Sequence, residues 1–149
     1  MRVHVFWNKR TGNVIVPTLA KTEAGYWLDI EPVELGSWSN PESVAEAVEK
    51  ALARSGQVVP TPTRQNFPKP VVLPYSKARS INDFEKKYDL ASIARSQDGY
   101  HSIERYKEAP ESTGRVVDSD ASTTYPPEVS LNQLISILAS TIPLKTKDK

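Results

Sequence analysis

An α+β fold, an antiparallel sheet packed with two or three helices, is predicted by three features of the sequence. Strand-like runs joined by short polar turns fill the first third of the chain. Two later stretches repeat apolar residues at helical spacing. An Asp-Gly pair separates two further strand-like runs. The expected order is three strands, a helix, a short strand, a helix, a hairpin and a final helix.

Val3, Val5 and Trp7 alternate with Arg2, His4 and Phe6, the period of a strand with both faces partly apolar. Asn8 to Asn13, with Gly12, supplies a hairpin loop, and a second strand runs from Val14 to Leu19. A third runs from Tyr26 to about Val33, completing an antiparallel meander with Trp7 and Trp27 in its core.

The first helix follows Asn40, a candidate cap, with Pro41 in the first turn. Val44, Ala47, Val48, Ala51 and Leu52 form its apolar stripe, and Gly56 ends it. Five prolines between Pro60 and Pro74 forbid a helix there and allow at most an edge strand at Val71–Leu73. Ser80 to Tyr88 reads as a short helix with Ser80 and Asp83 in capping spacing. Asp98-Gly99 turns a hairpin between Leu90–Arg95 and Tyr100–Tyr106. Glu108 to Glu128 is polar and reads as irregular. The last helix, Glu128 to Thr141, places Leu131, Leu134, Ile135 and Leu138 on one face. Residues 1–143 are read as one domain and residues 144–149 as a charged tail.

Composition narrows the function. The 149 residues hold 19 Lys and Arg against 18 Asp and Glu, for a net charge of +1, without the basic excess typical of a dedicated nucleic-acid binder. With no cysteine, a disulfide framework, a thiolate zinc site and a cysteine nucleophile are excluded. No basic region followed by an apolar stretch opens the chain, and no apolar run reaches the ~18 residues that span a bilayer. The cytoplasm is the expected location.

Chemistry-bearing patterns are sparse. His4 and His101 have no neighbours at metal-ligand spacing. A general-base role for His101 would need acids brought in from elsewhere in the fold. The six glycines are scattered singly and form no phosphate loop. Asp118 and Asp120 share the spacing of two Ca²⁺ ligands but lack the glycine and glutamate that should follow. No cofactor or metal is expected, and the chain reads as a binding protein rather than an enzyme. Gln57 to Asn82 carries Arg64, Lys69, Lys77 and Arg79 with Phe67 and Tyr75 and no acid. It is either a solvated proline-rich loop or a small RNA-binding surface, the alternative function.

Two blocks carry a resemblance. Val5-Phe6-Trp7-Asn8-Lys9-Arg10-Thr11-Gly12, continuing to Glu31-Pro32-Val33-Glu34, is the first. Val58-Val59-Pro60-Thr61-Pro62, continuing through Phe67-Pro68-Lys69-Pro70-Val71-Val72-Leu73, is the second. Together they resemble immunity proteins of bacterial contact-dependent growth inhibition systems. The resemblance covers roughly the first half of the chain and carries no catalytic motif. It implies a cytoplasmic inhibitor bound one-to-one to the C-terminal toxin domain of a cognate protein, often a nuclease. A nuclease cleft is basic because it holds phosphates, so acids on the inhibitor would steer the encounter. The segment Glu108–Glu128 sets five acids against the single Arg115. Glu108, Glu111, Asp118, Asp120 and Tyr125, with Trp38 just before the first helix, are therefore the candidate partner contacts.

Overall fold

A computed structural model describes residues 1–108, with no account of the Glu108 side chain, and residues 115–143. Among them lie seven strands and four helices. The strands β1 (Arg2–Asn8), β2 (Asn13–Thr22), β3 (Trp27–Ser37), β4 (Val58–Val59), β5 (Tyr88–Arg95), β6 (His101–Glu108) and β7 (Arg115–Tyr125) form one open sheet. Its order is β3-β2-β1-β5-β6-β7, antiparallel throughout, while β4 adds a short parallel pairing to the end of β2. The expected meander and the Asp98-Gly99 hairpin are both present, with Gly99 at φ 90°.

Centrally placed β1 explains its doubly apolar pattern, because each face of the sheet meets a different layer. On one face Val3, Val5 and Trp7 lie under α1 (Pro41–Arg54) and α4 (Leu131–Ser140), with Val44, Val48, Leu52, Leu134 and Ile135 fully buried among them. On the other, Phe6 and Ile15 pack against Val72, just before α2 (Leu73–Ser76), Phe84 of α3 (Ile81–Lys87) and Tyr88 at the start of β5. Each such fully buried side chain contributes about 1.5–3 kcal/mol relative to exposure. Pro17 sits inside β2 at a register shift between Val16 and Thr18, where its lack of an N–H interrupts no ladder pair.

Several expectations are corrected. Arg115 to Tyr125 is not irregular; it is an eleven-residue edge strand paired with β6. Its residues are mostly exposed on both faces, so no alternation marks it in the sequence. Val71–Leu73 is no strand: Val72 precedes a one-turn helix, and its side chain plugs the second core. Asn40 makes no side-chain cap. Its carbonyl instead accepts from Ser43, whose hydroxyl accepts from the Ser37 N–H. α4 starts later than expected, at Leu131, where Ser130 and Gln133 form a reciprocal capping box. Ser80 caps α3 as its spacing suggests.

The tryptophans exchange roles. Trp27, expected in the core, is 42% exposed. Trp38, expected as a partner contact, is 4% exposed and packs edge-on against Trp7 at 5.8 Å. Trp38 sits where the chain turns from β3 into α1, and closing that corner puts the indole inside.

Candidate partner-binding cavity

α2, α3 and the proline-rich strap before them cover only part of the second sheet face. The uncovered remainder is a cavity of about 460 Å³. Phe6, Leu28, Leu90 and Tyr106 floor it, Pro68 to Val72 wall one side, and Ile81, Phe84 and Glu85 wall the other. Trp27, Phe67 and Ile81, at 42%, 57% and 41% exposure, stand at its edge. Size and apolar lining match those of recognition pockets, and large exposed hydrophobics clustered around a concavity mark interaction sites more often than chance.

The strap is held in place by specific contacts. The Tyr75 hydroxyl donates to both Glu31 carboxylate oxygens at 3.0 and 3.1 Å, which ties α2 to β3 and pushes the phenol pKa up. Phe84 stacks on Tyr88 at 4.5 Å and meets Phe6 edge-on at 5.3 Å. Arg115, from the start of β7, donates to the backbone carbonyls of Tyr88 and Glu85 at 2.7 and 3.3 Å. Prolines 68, 70 and 74 fix φ along the strap, so the wall is stiff before any partner arrives.

Polar groups in the cavity are few and placed. His4 Nδ1 lies 3.0 and 3.1 Å from the two oxygens of Asp29, reaching across β2. A carboxylate oxygen accepts, so His4 Nδ1 is the donor of this contact. The Tyr106 phenol is held above its usual pKa by burial first and by Glu104 second, with a hydrogen bond to Ser92 opposing. Ser92 lies opposite His4 in register, but its hydroxyl accepts from Arg2 at 2.8 Å. At the rim, Lys21 stands 5.4 Å above the Trp27 ring.

His101 lies elsewhere, at the start of β6 opposite Arg95 of β5 in register. The Arg95 Nε donates to its Nε2 at 2.9 Å, while the two terminal nitrogens of Arg95 clasp Glu49 at 2.8 and 3.0 Å. An accepting Nε2 requires the neutral ring protonated at Nδ1. Burial, then Arg95, drives the His101 pKa down. The Arg95 hydrogen bond lowers that of Glu49. The group joins α1 to the hairpin, and its one acceptor nitrogen is already occupied.

Of the six expected partner contacts, the structure gathers three on β7. Asp120 is exposed, Asp118 lies 3.9 Å from Lys107, and Tyr125 packs partly against the main core. Glu108 ends β6 opposite Arg115 in register, and Glu111 lies outside the described residues. Trp38 is remote from them, in the core. Strand pairing therefore brings Lys107, from outside the acidic segment, to Asp118. Among the described residues no cluster of three His, Asp or Glu side chains could hold a metal, and no helix is long and apolar enough to cross a membrane.

The cavity is invisible in the linear sequence because its parts come from six elements and the strap. One local clue existed. Phe67, between Asn66 and Pro68, belongs to no periodic apolar stripe, and an apolar side chain without a face of its own is free to serve a rim.

No family model and no curated protein matches the chain. Among solved structures, a protein of unknown function from Neisseria meningitidis is similar at a TM-score of 0.64 and 12% identity, over 93% of this chain and 90% of that one. A chain of a CdiA-CT/CdiI toxin and immunity complex from Yersinia pseudotuberculosis is similar at 0.60 and 15% identity, over 94% and 95%. At these identities the likeness is one of fold.

Proposed function

We propose that this protein is an immunity protein that binds the C-terminal toxin domain of a contact-dependent growth inhibition system and neutralises it in the cytoplasm. The observation that carries the reading is the likeness to a chain of a toxin and immunity complex over nearly the whole of both chains. It is supported by where the two resembling sequence blocks fall. Phe6 comes from the first and Phe67 to Val72 from the second, and both line the cavity. The toxin is proposed to be a nuclease bound one-to-one. Asp118 and Asp120 on β7 then face its basic cleft, and charge-steered encounter raises the association rate. Arg115 lines the cavity from the start of that strand, while Asp118, opposite Arg105 in register, lies on the other face of the sheet.

The test is co-expression with the toxin domain of a cognate growth-inhibition protein. A one-to-one complex by light scattering, and survival of cells making the toxin, are expected. Free toxin and dead cells at full expression of the folded protein would refute the reading.

A second reading, RNA binding, is favoured by the exposed Trp27 and Phe67 beside Lys21 and Lys69, which could stack bases and hold phosphates. It requires affinity for single-stranded RNA that falls linearly in log K against log salt.

A further inference from the structure

The sheet forks beneath the cavity. β5 pairs with β6 from Arg95–His101 only as far as Ala91–Arg105, yet β5 stays on β1 back to Tyr88 and β6 stays on β7 out to Glu108. Beyond Ala91, therefore, Tyr88 to Leu90 run with one arm of the sheet and Tyr106 to Glu108 with the other. Leu90 on the first arm and Tyr106 on the second both line the cavity, so the gap between the arms is part of its floor. Where the ladder has stopped, backbone pairing no longer sets the distance between strands. Arg115 crosses this gap. It leaves β7 opposite Glu108, and its Nη2 donates to the Tyr88 carbonyl at 2.7 Å and to the Glu85 carbonyl at 3.3 Å. A helix leaves its last carbonyls without partners of its own. At the end of α3 the Phe84 carbonyl accepts from the Tyr88 N–H and the Lys87 carbonyl from the Lys9 N–H, while the Glu85 carbonyl takes Arg115.

We infer that Arg115 is a positioning residue for the cavity: it ties the β6–β7 arm to β5 and to the end of α3, and so fixes the width of the fork and the place of the α3 wall. This rests on the reading of the cavity as the partner-binding site. The clasp is a charge-assisted hydrogen bond, stronger than a neutral one, and it reaches where no strand pairing holds the two arms together. Phe84 and Glu85 of α3 line the cavity, so a wall that shifts changes the shape a partner meets. With the clasp in place the site is shaped before binding. Without it the partner must order the fork itself, and that cost appears as weaker binding, chiefly through faster dissociation.

Amide hydrogen exchange on the full chain, read by NMR, compares the parent with Arg115→Met, which keeps an unbranched stem and loses the donors. The Phe84 and Tyr88 amides should exchange about tenfold faster, while those of Val5 on β1 and Leu52 on α1 stay within about twofold. Arg115→Lys keeps the cation on a shorter reach and should show a smaller change of the same pattern; it carries the comparison should the Met variant fail to fold. A residue that only adds to global stability would speed all four amides alike, and that result, or no change at any of them, would overturn the inference. The second measurement is the complex with a cognate toxin domain, which Arg115→Met should weaken about tenfold. Equal dissociation rates for parent and variant would also overturn the inference. No complex even with the parent chain would sink the toxin reading alone, with the exchange pattern still deciding for or against Arg115.

Discussion

Replacing Leu52 by Ala tests the packing of α1 that frames everything else. Leu52 is 0% exposed, on a helix packed against β1, β2, β3 and α4. The substitution removes three carbons, about 2–2.5 kcal/mol at roughly 0.8 per methylene. The hole left between a helix and a sheet closes only partly, and its cavity term brings the total to about 3–4 kcal/mol. The Leu52 carbonyl, which accepts from the N–H and hydroxyl of Ser55, is untouched, so the loss is one of packing. In urea, with a slope of about 2 kcal/mol/M, the unfolding midpoint should fall by roughly 1.5–2 M. The melting temperature should drop about 6–15 °C. Leu35→Ala is the control: at 58% exposure on edge strand β3 it should stay within about 0.5 kcal/mol of the parent. Equal midpoints for the two variants, with an unchanged slope, would show that α1 does not seat Leu52 in the core.

Three further outcomes are expected. Reversing Asp118 and Asp120 to Lys should slow association with a nuclease toxin at low salt much more than reversing Glu42 and Glu46, exposed on α1, and stopped flow at two salt concentrations reads the difference; Glu49 is unsuitable as a control because it is clasped by Arg95. His101 has a folded pKa below its unfolded value near 6.5, so the unfolded chain binds the extra proton first. The stability this residue contributes is present above that value and is lost as pH falls below it; denaturation curves from pH 7.5 to 5 should show the loss, with a shallower slope in His101→Gln. Ser130→Ala removes one half of the α4 capping box and should cost about 1 kcal/mol by chemical denaturation.

By itself the sequence determined the elements whose periodicity is local and strong. The β1–β3 meander, the apolar stripe of α1, the Asp98-Gly99 turn and the buried face of α4 all follow from spacing and turn chemistry, because each buries one face against a large core. It did not determine β7. An edge strand has one neighbour and little buried surface, so its hydrogen bonds come from β6 and leave no apolar signature. Nor could it rank the tryptophans: Trp27 and Trp38 both flank regular elements, and only the closing of the β3–α1 corner decides which is buried. The acidic segment shows the same limit for charge, since Lys107 reaches Asp118 through pairing across strands. The cavity is wholly a product of tertiary structure. Phe6, Asp29, Phe67, Phe84, Tyr106 and Arg115 are scattered over more than a hundred residues, and a hole exists only where packed elements stop short of one another.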